Sequence, residues 1–191
     1  MIKIHCLFLS FLLVLSSSSL AAGGGNNEEV LQKLDQIIHN KSIYHVQKEK
    51  EITLLKQSLE RTNDTHKKYE LCGSLFKAYL NYQADSALYY VNEKMNLLPL
   101  LNSVELRNEV LINRGEVMGM MGMYNEAQEQ LRQVNTSELT KETLAYYYRT
   151  YRAYYGWVAD YTTSDIEKVK YLQKTDAYRD SVLMTFRKIE R

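Results

Sequence analysis

Residues 108–134 read NEVLINRGEVMGMMGMYNEAQEQLRQV, and this stretch decides the fold. Leu111 and Met118 lie seven apart, and Ala127, Leu131 and Val134 follow at spacings of four and three. Those intervals describe two amphipathic helices on either side of Gly122. Gly122 ends the first helix, because glycine takes a positive φ at little cost. Gly115 and Ala127 are small where the two antiparallel helices come closest, and Tyr124 opens the second helix, placed to wedge between neighbouring units. A hairpin of this kind cannot bury its apolar face alone, so it implies further hairpins stacked on it. A stacked array of hairpins is a binding scaffold rather than an enzyme.

Working outward, the chain after its first residues reads as helical almost throughout. It holds a single proline, Pro99, and no run of two-residue alternation bounded by hairpin turns. Seven or eight helices are expected in an all-α domain over residues 28–191, grouped as pairs at about 28–61, 65–97, 103–134 and 139–190. In the first pair Leu31, Leu34, Ile37 and Ile38 form one stripe and Ile52, Leu55 and Leu59 another. Lys41, His45 and Lys48 interrupt the seam between them. Asn40–Ser42 therefore breaks the stretch into a shorter and a longer helix, unless it forms one long coiled-coil arm. Thr62–Thr65 is a capping cluster, Asp85 and Ser103 are further caps, and Asn96–Asn102 closes a repeat around Pro99.

The first 22 residues, MIKIHCLFLSFLLVLSSSSLAA, have the form of a secretory signal: Lys3, an apolar run over residues 6–15, then small residues through Ala22. The run is too short for a permanent span, although an uncleaved anchor is the rival reading. Gly23–Asn27 (GGGNN) reads as a flexible spacer. The chain is thus expected to be exported and periplasmic, with no membrane span after cleavage. Removing residues 1–22 removes Lys3 and no acid, which leaves 23 basic against 23 acidic residues. That balance argues against direct contact with nucleic acid. Only Cys72 remains after cleavage, so no disulfide can form within one chain and packing alone must hold the fold.

The repeat at 108–134 resembles a tetratricopeptide repeat in the placement of its large, small and aromatic residues. Starts near 65, 103 and 139 give periods of about 38 and 36, slightly longer than the ~34 of that repeat. Tyr44 with Lys48, Glu49, Ile52, Leu55, Lys56 and Leu59 extends the likeness. So do the strings KYEL (68–71), LFKAY (75–79), DSALYY (85–90), YYYRTY (146–151), ADYT (159–162) and AYRDSVL (177–183). Together these resemble exported tetratricopeptide-type proteins of Bacteroidota. The resemblance implies a right-handed α-solenoid of helical hairpins. In that family the exported solenoid precedes a membrane helix and a helix-turn-helix region, which implies the periplasmic sensing part of a membrane regulator. The alternative is a free-standing periplasmic scaffold or assembly adaptor.

No nucleophile, metal or phosphate motif stands out, and no catalytic residue, cofactor or metal is expected. His39 and His45 are six apart and would not share a helix face. Cys72 beside Leu71 and Leu75 reads as a buried, inert thiol. Two binding surfaces are candidates, the ligand in either case a peptide, a protein or the chain's own downstream region. Tyr146 and Trp157 lie off the face of the tyrosine-rich helix formed by Tyr147, Tyr148, Tyr151, Tyr154 and Tyr155. With Arg149 they have the residue types that dominate interfaces; burial between repeats is the competing explanation. Glu109, Ile112, Glu116 and Met120 hold positions that line the concave groove in tetratricopeptide solenoids. Being acidic and apolar, they lack the basic clamp with which adaptors of that type hold a carboxylate terminus. Tyr178, Val182 and Phe186 put an apolar face on the last helix, a docking face for a partner or for a continuing chain.

Overall fold

A computed structural model of the chain describes residues 24–187. Among the described residues there are eight α-helices, one short 3-10 turn at Thr136–Glu138 and no strand. Two units are distinguished, one ending at Glu49 and the other beginning at Lys50.

Helix α1 spans Gly24–His39 and α2 spans Lys41–Arg61. Gly24–Asn27 are therefore helical, which corrects the reading of this stretch as a spacer. The first four N–H groups of a helix need no partner within it, so glycine and asparagine are tolerated in a first turn. The signal-like residues 1–22 lie outside the described residues. Between the helices only Asn40 leaves helical geometry. Its N–H donates to the Gln36 carbonyl at 3.0 Å, and its own carbonyl accepts from Ile43 at 3.0 Å and Tyr44 at 3.2 Å. A one-residue break is too short for a helical hairpin, which takes two to five. The paired arrangement expected for 28–61 is thus corrected to two helices in near-continuous succession. Leu31, Leu34, Ile37 and Ile38 are all exposed.

In the second unit Ile52, in the later part of α2, is fully buried against a core of Cys72, Leu75, Phe76, Ala87 and Val91. Three hairpins follow. Helix α3 (Thr65–Tyr79) precedes α4 (Ala84–Leu101), α5 (Val104–Met120) precedes α6 (Tyr124–Arg132), and α7 (Lys141–Tyr161) precedes α8 (Asp165–Arg187). Each first helix is capped by its sequence. Asp64 accepts from the Lys67 N–H at 2.7 Å, Ser103 from Leu106 at 3.2 Å and Thr140 from Thr143 at 3.2 Å. Asp85 is not a cap. It sits in the first turn of α4 behind Gln83, where its charge still complements the helix dipole. Helix α4 also runs through Pro99 to Leu101, where a closing loop was expected. In a last turn proline forfeits one hydrogen bond, and Asn102, at φ 44°, then ends the helix.

Helix α5 is the centre of the unit and packs against α4, α6 and α7. Gly115 lets Leu131 of α6 approach so closely that a Cβ there would stand 2.6 Å from the leucine Cγ. Gly122 makes the α5–α6 turn at φ 80°. Tyr124 wedges between hairpins, its ring 6.3 Å from Tyr154 and 6.2 Å from Tyr161 of α7. Asn108, buried on α5, clamps the backbone of Asn135 from both sides, accepting its N–H at 3.1 Å and donating to its carbonyl at 3.3 Å. Tyrosines join α7 to α8, with Tyr178 stacked on Tyr151 at 4.8 Å between centroids and 7° between planes. The second unit is an all-α solenoid of helical hairpins.

Candidate functional site

Helices α3, α5 and α7, the first members of the three hairpins, supply most of the side chains around two adjoining recesses. One, of 300 Å³, is lined by His66, Tyr69, Gly73, Lys77, Lys94 and Glu109 among others. The second, of 320 Å³, is lined by Phe76, Lys77, Leu80, Glu116, Tyr146 and Arg149. Lys77 stands between them and belongs to both.

A continuous polar network forms the floor. Lys94 reaches in from α4 with its side chain only 1% exposed. A buried ammonium is costly unless paired and hydrogen-bonded. Here Nζ donates to Glu109 Oε1 at 2.7 Å and to Asn113 Oδ1 at 2.9 Å, and it lies 4.4 Å from the centre of the Tyr69 ring. The Tyr69 hydroxyl is 3.1 Å from the other Glu109 oxygen and 2.9 Å from the Leu106 carbonyl. Asn113 spends its amide hydrogen on the Tyr146 hydroxyl at 3.0 Å, and that hydroxyl donates in turn to Glu116 Oε2. The Arg149 guanidinium lies 5.9 Å from the Tyr146 ring centre. One network therefore runs across all three hairpins.

Burial sets the electrostatics of this floor. It pushes the Tyr146 hydroxyl well above the ordinary phenol range, helped by the adjacent Glu116 charge, and it raises Tyr69 beside Glu109 in the same way. Burial lowers Lys94, while Glu109 pulls it back up. It also raises the Glu116 carboxyl, against the opposing pull of the Tyr146 hydrogen bond and Arg149. Cys72 is buried and its thiol is pushed up to about 11, so it is un-ionised near neutral pH. Among the described residues no group of three or more metal-ligating side chains converges. The floor groups satisfy one another. The rim supplies exposed Lys77 and Arg149, and Lys77 makes no ion pair among the described residues.

The structure brings Glu109, Glu116, Tyr146 and Arg149 together. Ile112 is 0% exposed and packs with Leu111 and Val134, so it cannot line a groove. On α5 the groove-facing positions are 109, 113 and 116, and Ile112 falls a quarter-turn away into the core. Met120 is half-buried near the end of α5. Trp157 does not join Tyr146 in a common recess. Three turns further along α7 it lies over Gly119, where a Cβ would stand 2.7 Å from its ring. Tyr178 is also taken up internally, stacked on Tyr151 and Tyr155, and Val182 is half-buried beside it. Phe186 is 50% exposed, as are Leu183, Leu172 and Val169 to similar degrees. Sequence reasoning passed over Lys94, Asn113, Tyr69 and Lys77 as site residues. The signal for Lys94 was present: it lies at i+7 from Ala87 and i+3 from Val91, a lysine on a core stripe that calls for a buried acid.

The family model described as the SusR N-terminal TPR domain matches residues 38–190. No curated protein and no solved structure matches the chain significantly.

Proposed function

Because the chain belongs to the SusR N-terminal TPR domain family, we propose that it is a non-enzymatic module that binds a peptide or protein, and that it serves as the periplasmic sensing portion of a membrane regulator. Helical-repeat domains of this type mediate protein interactions, and the groove along α3, α5 and α7 is the surface on which this one recognises its ligand. The observation that carries the reading is the mismatch between floor and rim. The buried polar side chains of the floor hydrogen-bond one another, whereas exposed Lys77 and Arg149 line the recess and form no ion pair among the described residues. An extended segment bearing an acidic side chain would pair with both cations while lying against Leu80.

The apolar stripe of Val169, Leu172, Leu183 and Phe186 on α8 favours a second reading, a free-standing scaffold that docks a partner there. The signal-like start supports export in either case. Two measurements test the proposal. Alkaline phosphatase joined after Arg191, active only once exported, should be active in cells; an inactive fusion with normal expression removes the periplasmic role. A displayed random-peptide library panned on the chain should enrich acidic peptides that are lost on Lys77→Ala and Arg149→Ala. Enrichment that ignores both substitutions, or no enrichment at all, overturns the groove.

A further inference from the structure

A further recess of the second unit lies on the other side of α5. At about 100° per residue, Arg107, Leu111 and Arg114 fall within one narrow sector, opposite the sector of Glu109, Asn113 and Glu116. The space they face, 540 Å³, is bordered by the end of α4 and by α6 and opens to solvent. That volume lies in the range of sites for small organic molecules.

Its lining has two characters. Met95, Leu98, Pro99, Val104 and Leu111 give an apolar wall, and Arg107, Arg114, Gln130 and Gln133 give the polar side. The lining contains no carboxylate. Neither arginine makes an ion pair among the described residues, and the acid nearest along α6, Glu129, is engaged by the Gln133 amide at 3.2 Å. Above all, Arg114 Nε is buried and has no hydrogen-bond partner, the one such side-chain atom among the described residues. A buried guanidinium N–H without an acceptor carries its full desolvation cost, and native folds rarely leave one so. The guanidinium fork matches a carboxylate in geometry as well as charge.

We infer that this cavity binds a small amphipathic carboxylate, its carboxylate held by Arg114 with Arg107 and its apolar body against Leu98, Pro99 and Leu111. The site is independent of the groove, being formed on the opposite face of α5. A ligand here would bridge the first and second hairpins through α4, α5 and α6, and so would bias their packing.

Octanoate titrated onto the full chain by calorimetry tests this, with octanol and acetate as companion probes. Octanoate should bind and raise the unfolding temperature. Octanol, with the same tail and no charge, should bind at least tenfold more weakly, and acetate should not bind measurably. Arg114→Met should weaken octanoate at least tenfold. Arg107→Gln, at an exposed position and therefore tolerant of change, should weaken it several-fold and guards against misfolding of the first variant. Arg149→Ala in the groove should leave octanoate binding unchanged while abolishing peptide capture, which separates failure of this site from failure of the groove. The inference is overturned if octanoate does not bind, if both arginine variants bind it like the wild type, if octanol binds equally well, or if acetate alone saturates the site.

Discussion

Replacing Gly115 by alanine probes the closest approach in the solenoid. The added Cβ would stand 2.6 Å from both Cγ and Cδ2 of Leu131 and 3.3 Å from Cδ1. Leu131 is 0% exposed, so its side chain has no open space to swing into. Overpacking of this kind costs about 1–3 kcal/mol. Alanine also improves the helix by about 1 kcal/mol over glycine, which offsets part of the clash. Gly156 supplies the control that separates the two effects. It lies within α7, and a Cβ there meets nothing within 4 Å, so Gly156→Ala should stabilise by about 0.4–1 kcal/mol. The backbone gain cancels between the variants, and Gly115→Ala should be less stable than Gly156→Ala by about 1–3 kcal/mol. In urea, with a slope of about 2 kcal/mol/M, the midpoints should differ by roughly 0.5–1.5 M. Leu131→Ala should also cost less in the Gly115→Ala background than in the wild type, since the two side chains compete for one volume. Equal midpoints for the two glycine variants, or additive behaviour of the pair at 115 and 131, would refute the close-packing argument.

The polar floor gives an asymmetric pair of outcomes. Glu109→Ala strands a buried ammonium and should cost about 3–5 kcal/mol, whereas Lys94→Met leaves Glu109, 35% exposed, to be hydrated and should cost far less; denaturant midpoints in the reverse order would show that the pair is not the anchor. Glu116 should set a pH dependence. Burial raises its folded pKa above the unfolded value of about 4.5, so the fold is favoured by its protonation below that value. That contribution is lost as pH rises through the folded pKa. Relative to wild type, Glu116→Gln should therefore become more stable as pH rises from below about 4.5 through the folded pKa and then level off, and a constant difference across that rise would contradict the assignment. Gly122→Ala meets no steric neighbour but must hold φ 80°, so unfolding titrations should show a loss of about 1–2 kcal/mol. Cys72, with its thiol pushed up to about 11 and buried, should react with a thiol reagent only as fast as the first hairpin opens. Labelling at the rate of an exposed thiol would mean that this core is breached.

Where the fold was legible, a residue's type alone determined its job. Gly122 at the turn, Ser103 and Asp64 at helix starts, and Tyr124 between hairpins each have a reason that holds without knowledge of distant neighbours. The misreadings share the opposite property. Gly24–Asn27 look like a linker by composition, yet a first helical turn asks little of its residues. Pro99 looks like a terminator, yet its effect depends on how many turns remain, and α4 needed only two more residues. Asn40 does divide its stretch into a shorter and a longer helix, as expected, but the sequence does not state the strength of the break: it interrupts one residue and reverses nothing.

The binding surface was legible only in part, for a geometric reason. Helical periodicity assigns a residue to a sector of its own helix with an error near one residue, or about 100°. That error is enough to put Ile112 in the groove beside Glu109 and Glu116, when it belongs to the core. It also lets Tyr146 and Trp157 share a sector while separate parts of α5 receive them, Asn113 and Glu116 in one case and Gly119 in the other. Lys94 marks the deeper limit. Its stripe position shows that it is buried, but burial of a lysine is tolerable only with specific partners. Those partners, Glu109 and Asn113, lie on the next helix at a register that no local pattern encodes. The same holds on the far side of α5. Arg107 and Arg114 are plainly on one face in the sequence, but only the structure shows that no carboxylate comes to meet them and that one guanidinium N–H is left without an acceptor. What distinguishes the two faces is therefore satisfaction rather than composition: one arginine-bearing surface overlies a closed network, and the other holds an open donor inside a cavity.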